Sequence, residues 1–111
     1  MKELKSVKNL NDLLKNSGDK LVVIDFFADW CGPCRIMGPK FEKMASEYPD
    51  VVFAKVNIQK AKDLVEQYAI SSIPHFKFFK NRKVVDDVRG ADEEKLKEKI
   101  NKWKDAIMSE K

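Results

Sequence analysis

The chain has two cysteines, and both stand in one pentapeptide, Trp30-Cys31-Gly32-Pro33-Cys34, at the seam between an apolar run and a helical pattern. Thiols three apart at a helix start are neighbours. Their β-carbons lie roughly 5–6 Å apart, and slight tightening brings the sulfurs to bonding distance. Exchange with another disulfide runs through a thiolate, so such a site must hold an anion near neutral pH. The free N–H groups and partial positive charge of a helix N-terminus do this. Cys31 occupies the strongest part of that field and is the candidate nucleophile. Cys34, one turn inward, is the candidate resolving thiol. Pro33 fits the first helical turn, where its missing N–H costs nothing, and Gly32 leaves room for an incoming disulfide. The chemistry in view is dithiol–disulfide exchange.

Other uses of the pair fit less well. A zinc site needs about four ligands, and beyond the cysteines there are one histidine, His75, and scattered carboxylates, so no metal is expected. A c-type haem site would put His directly after Cys34, where Arg35 stands. A disulfide closing so short a loop removes little chain entropy, which makes it a poor staple. In a reducing compartment such a pair is reactive.

Three further residues stand out. Asp25 interrupts the apolar run Lys20–Ala28. It is either solvated at a strand end or buried, and burial would raise its pKa and make it a proton acceptor for Cys34. Lys55 interrupts Val51–Val56 in the same way. It is either an edge-strand lysine that blunts aggregation or a partner that tunes Asp25. His75 follows Pro74 and is either a local hydrogen-bonding residue or an imidazole that stabilises the thiolate.

Elements that could position these residues follow from periodicity. Leu4–Val7 reads as a short strand, and Asn9 as the N-cap of a helix over Leu10–Lys15. Lys20–Ala28 and Val51–Asn57 lack polar alternation, as strands buried on both faces do. Met37, Phe41, Met44 and Tyr48 mark one face of a helix after the cysteines, with a kink expected at Pro39. A helix is expected over about Lys60–Tyr68. Phe76–Lys80 and Lys83–Arg89 form a hairpin across Asn81-Arg82. Asp92 caps a last helix whose apolar face is Leu96, Ile100, Trp103 and Ile107. Alternating units followed by a hairpin predict an α/β domain with a mixed central sheet and helices on both faces.

Composition narrows the field. A chain of 111 residues with 43% apolar side chains forms one domain over residues 1–111 with a sizeable core. The net charge of +4 is spread out. Residues 92–111 carry six basic and six acidic side chains, and no basic stripe interleaved with aromatics appears, so nucleic-acid binding is not expected. No apolar window approaches a membrane span and the N-terminus has no apolar signal core. The expectation is a cytoplasmic monomer.

The residues resemble the thioredoxin family along essentially the whole chain. The resemblance rests on the Trp-Cys-Gly-Pro-Cys run, Asp25 six residues upstream, Pro39 in the following helix, Lys55 and Asn57, Ile73-Pro74, and Gly90-Ala91. It implies the thioredoxin fold, a mixed central five-stranded sheet flanked by four helices, with Pro74 cis against the cysteines. It implies a substrate surface formed by Trp30, Gly32, Pro33 and Ile58 together with Ser72, Ile73, Pro74, Gly90 and Ala91. There a substrate chain lies like an added strand. It also implies a redox disulfide between Cys31 and Cys34, and no bound cofactor. Electrons would come from NADPH through a flavoprotein thioredoxin reductase, or from a ferredoxin-linked one. Three positions depart from the family pattern. His75 stands for the usual Thr, Gln59 for a frequent Asp, and Arg82 for the turn Gly, where a positive φ would cost about 1 kcal/mol.

The function expected is protein-disulfide reduction in cell redox homeostasis. Cys31 attacks a partner protein's disulfide, Cys34 resolves the mixed disulfide, Asp25 accepts a proton and Lys55 tunes it. A redox-gated binding or regulatory subunit using the same surface is the alternative. An oxidase or isomerase fits less well, since those relatives usually carry His rather than Pro before the second cysteine.

Overall fold

The computed structural model describes residues 1–107. In chain order these form β1 (Lys2–Glu3), α1 (Val7–Asn16), β2 (Val22–Phe27), α2 (Gly32–Glu47), β3 (Val52–Asn57), α3 (Lys62–Gln67), β4 (His75–Lys80), β5 (Lys83–Arg89) and α4 (Glu93–Trp103). The strands make one sheet in the order β1-β3-β2-β4-β5. β1, β3 and β2 run parallel, while β4 and β5 run antiparallel to their neighbours. This is the mixed five-stranded sheet with four helices that the sequence predicts.

Period-two alternation sorts each strand's side chains onto two covered faces. On one face Val23, Phe53, Phe76, Phe78 and Val88 meet Met37, Phe41 and Met44 of α2 and Leu96 and Ile100 of α4. On the other Val22, Ile24, Phe26, Ala54, Val56 and Phe79 meet Leu10 and Leu14 of α1 and Leu64 of α3. Burying each large apolar side chain is worth about 1.5–3 kcal/mol. That is why central strands read as unbroken apolar runs, and why one aspartate among them is conspicuous. Among the described residues no helix is long and apolar enough to cross a membrane.

Three expectations need correction. β1 lies at Lys2–Glu3 rather than Leu4–Val7, because Leu4 is fully buried in the core and its N–H donates to the Lys55 carbonyl at 2.8 Å. The chain then turns at once into α1. Ser6, not Asn9, caps that helix: Ser6 Oγ accepts the Asn9 N–H at 3.1 Å, while Asn9 Oδ1 accepts the Lys5 N–H at 3.0 Å. Asn9 thus works from inside the first turn. Finally, Ile107 is 95% exposed rather than on the apolar face of α4. The buried Lys80 donates from Nζ to the Trp103 and Lys104 carbonyls at 3.2 Å each, taking acceptors that a longer helix would use.

The hairpin keeps its two-residue turn, with Asn81 at φ 50° and Arg82 at φ 67°, the left-handed pair such a turn demands.

Candidate active site

The cysteine pair sits where β2 hands over to α2. Cys31 is the N-cap of α2, in extended conformation, and its Sγ accepts the Cys34 backbone N–H at 3.2 Å. The two residues are joined as a disulfide with their Cα atoms 5.2 Å apart. Both are buried, packed with Ala28 and beside Phe27, Ile58 and Ile73. The helix therefore aims a free N–H at the Cys31 sulfur, where a thiolate would carry its charge.

Around the pair the surface is apolar and open. Trp30 is 63% exposed, Gly32 and Pro33 are exposed, and a β-carbon on Gly32 would meet nothing within 4 Å. Pro74 is buried and its bond to Ile73 is cis. The Gly90 N–H donates to the Pro74 carbonyl at 2.8 Å, with Gly90 at φ 92°. That bond ties the β5–α4 loop to the proline. Ser72 and Ala91 are exposed; no hydrogen bond among the described residues ties either of them to the cysteines.

Asp25 lies behind the pair. It is mid-strand and buried, not solvated at a strand end, and its Oδ1 has no hydrogen-bond partner among the described residues. Burial pushes its carboxyl up to about 7, against the pull of the Lys55 charge. A cavity of about 280 Å³ opens onto it, lined among others by Cys34, Phe27, Pro39, Glu42 and Lys55. Lys55 stands in register with Asp25 on the neighbouring strand. β3 is an interior strand, so the edge-strand reading of Lys55 is excluded. Its ammonium lies 5.7 Å from the centre of the Phe27 ring.

His75 has a different engagement. Its ring is buried, with Nε2 2.9 Å from Asp87 Oδ2, and it tilts against Phe26 on the α1/α3 side of the sheet. Burial lowers its pKa and outweighs the hydrogen bond to Asp87. The ring is therefore neutral at pH 7. Because a carboxylate only accepts, Nε2 carries the proton. An imidazolium beside Cys31 is not what this geometry offers.

The thioredoxin family model matches residues 2–102. This chain belongs to the thioredoxin family. It is 48% identical over 102 residues to the thioredoxin of Geodia cydonium, covering 91% of this chain and 96% of that one. The crystal structure of Fasciola hepatica thioredoxin superposes with a TM-score of 0.92 at 41% identity, covering 94% of this chain and 100% of that one. A peptide-N(4)-(N-acetyl-beta-glucosaminyl)asparagine amidase of Caenorhabditis elegans is also 48% identical, over 99 residues and 88% of this chain, but this chain spans only 16% of that protein's length.

Sequence reasoning missed the cavity wall of this thioredoxin-family site. Gly38 and Phe41 recur from Cys34 at steps of four and three, and they line the cavity with Cys34, Arg35 and Glu42. That helical spacing was a readable signal. Met1 also lines the cavity, and nothing in its sequence position marks it. Asp87, which holds His75, was visible only as part of a charged strand.

Proposed function

We propose that the chain is a protein-disulfide reductase of the thioredoxin kind. The observation that carries this reading is the asymmetry of the two sulfurs. Cys31 faces a helix N–H at an open apolar surface, and Cys34 borders a cavity that holds a carboxyl titrating at about 7.

In the reduced form the Cys31 thiolate attacks one sulfur of a partner's disulfide. A Cys31–partner disulfide forms and the partner's other sulfur leaves as a thiolate. Cys34 gives its proton to Asp25, directly or across cavity water, and attacks Cys31 Sγ. The second partner thiolate leaves, so the partner gains two electrons and the Cys31–Cys34 pair loses them. A general base acts best with a pKa near the working pH, and Asp25 meets that condition because it is buried beside Lys55. The partner chain docks across Trp30, Gly32, Pro33 and Ile58 on one side, and across Ser72, Ile73, Pro74, Gly90 and Ala91 on the other. NADPH electrons, delivered by a flavoprotein thioredoxin reductase, restore the dithiol without a cofactor resident in the chain. Function as a monomeric domain over residues 1–111 in the cytoplasm fits a dithiol that must stay reduced.

Insulin reduction with dithiothreitol tests the reading. Cys31→Ser is expected to abolish turnover, and Cys34→Ser to trap a mixed disulfide that Cys31→Ser cannot form. Equal turnover by wild type and Cys31→Ser would overturn the assignment. The match to a short part of a much longer amidase favours one second reading, a redox-gated binding or regulatory module on the same surface. Capture of one stoichiometric partner that survives loss of both cysteines would select it.

A further inference from the structure

β1 is two residues long, and its second residue is a glutamate whose place in the sheet only the register reveals. Glu3 pairs with Lys55 of β3, and Lys55 pairs with Asp25 of β2. Three ionisable residues thus stand in one row across three adjacent parallel strands, in the order carboxylate, ammonium, carboxylate. Registered neighbours in a sheet share a face. Leu4 packs into the α1/α3 core, which puts Glu3 on the opposite face, the side of α2. Met1, two residues before Glu3, lines the Asp25 cavity together with Lys55, which places this side of β1 at the cavity. The Leu4 N–H to Lys55 carbonyl bond at 2.8 Å pins the row at its edge. Two buried side-chain oxygens lack a hydrogen-bond partner among the described residues, and they are Glu3 Oε2 and Asp25 Oδ1. Both belong to this row.

We propose that Glu3 is a positioning residue of the redox site, a second carboxylate that shares the Lys55 ammonium with Asp25 and thereby governs how readily Asp25 takes the Cys34 proton. One ammonium between two carboxylates cannot neutralise both. An ammonium drawn toward Glu3 stands farther from Asp25 and attracts it less, and the Glu3 charge itself disfavours a second anion two strands away. Both effects hold Asp25 toward its protonated form. The other charged groups facing Asp25 are Arg35 and Glu42 of α2 and Asp29 of the β2–α2 loop, around the same cavity. Its registered neighbour on β4 is the apolar Phe76. Glu3 thus stands in register with Lys55 on the side away from Asp25. Two strand spacings of about 4.8 Å separate the carboxylates by about 10 Å. At that range in a half-wet cavity, a unit charge moves a midpoint by about half a pH unit.

The inference rests on Asp25 being the proton acceptor, and its test reads Asp25 directly. The Asp25 side-chain carboxyl carbon is followed by NMR against pH in the oxidised full chain. Glu3→Gln is expected to lower the Asp25 midpoint by about half a pH unit, and Glu3→Asp, which keeps the charge, to leave it near the wild-type value. Asp19→Asn, on the turn before β2 and about 20 Å away along an extended strand, is expected to leave it unchanged. An Asp25 midpoint in Glu3→Gln that equals or exceeds wild type overturns the proposal, as does an equal shift in Asp19→Asn. Insulin reduction by Asp25→Asn decides the underlying reading separately. Full turnover there would remove Asp25 from the mechanism, while a midpoint shift in Glu3→Gln would still establish that Glu3 governs the Asp25 carboxyl.

Discussion

Asp25→Asn should make the protein more stable relative to wild type as the pH rises. Burial lifts the Asp25 carboxyl from an ordinary 3.8 to about 7 in the fold. Between those values the unfolded chain has released the proton and the folded chain still binds it. Wild-type stability therefore falls as pH rises, by about 1.4 kcal/mol per pH unit inside that window, and levels off above pH 7. Across pH 5 to pH 8 the loss amounts to about 2.5 kcal/mol, once the curve's flattening at about 7 is allowed for. Asn cannot ionise, so its stability lacks this slope. Its amide needs partners in a site where Oδ1 already has none, at a cost of about 1–3 kcal/mol. That cost is the same at every pH, so the slope, not the offset, carries the test. Urea unfolding of the oxidised proteins at pH 5, 6, 7 and 8 measures it. The two stabilities should diverge with pH, the variant gaining about 2.5 kcal/mol on wild type. Parallel curves would mean that Asp25 titrates normally and cannot serve as a base tuned by burial.

Other substitutions probe the supports of the site. His75→Thr should leave the pH dependence of Cys31 alkylation in place, because the ring it removes is neutral and bonded to Asp87. A move of the alkylation midpoint to higher pH would return an imidazolium to the thiolate. The same variant should lose less stability than wild type as pH falls below 6.5, since the folded state disfavours a charged His75 and the unfolded chain does not. Equal acid sensitivity in the two proteins would contradict that. Arg82→Gly should raise stability by about 1 kcal/mol in denaturant unfolding, because Arg82 sits at φ 67° and glycine adopts that conformation without steric cost. A loss would show that the arginine side chain outweighs its backbone strain. Ser6→Ala should cost about 1 kcal/mol through loss of the α1 cap, and an unchanged unfolding midpoint would assign the cap elsewhere.

What the sequence made legible depended on whether the signal was local. Cys31 and Cys34 declare their geometry by spacing alone, since a helix start brings such a pair together. The β2 and β3 runs announced burial on both faces, and with it the oddity of Asp25 and Lys55. Local rules gave way where two distant segments competed for one group. Asn9 and Ser6 are both good caps, and the tertiary position of Leu4, buried against the sheet, decided that the helix begins early. The end of α4 was set by Lys80, more than twenty residues upstream, reaching its final carbonyls. His75 read as a thiolate modulator because Pro74 brings its backbone near the cysteines. Strand alternation instead carries its ring through the sheet to Asp87. Glu3 was silent for the same reason: a two-residue strand has no periodicity to read, and its neighbours are fixed by register alone.

The division of labour proposed for the sulfurs follows from one helix in which they sit three residues apart. At the N-cap, Cys31 Sγ receives the Cys34 N–H and the positive end of the α2 dipole, a combination worth about 1–2 kcal/mol to an anion there. Cys34 lies inside the first turn, and no backbone N–H donates to its sulfur among the described hydrogen bonds. It can become an anion only by handing its proton to something nearby, and the cavity at its back supplies a carboxyl at about 7. Exchanging the two roles would need a base on the open side, where Trp30, Gly32 and Pro33 present apolar surface. The order of events is thus built into position. In the proposed reading the front sulfur is the one a helix N–H can hold as an anion, and the rear sulfur is the one whose proton can pass to Asp25.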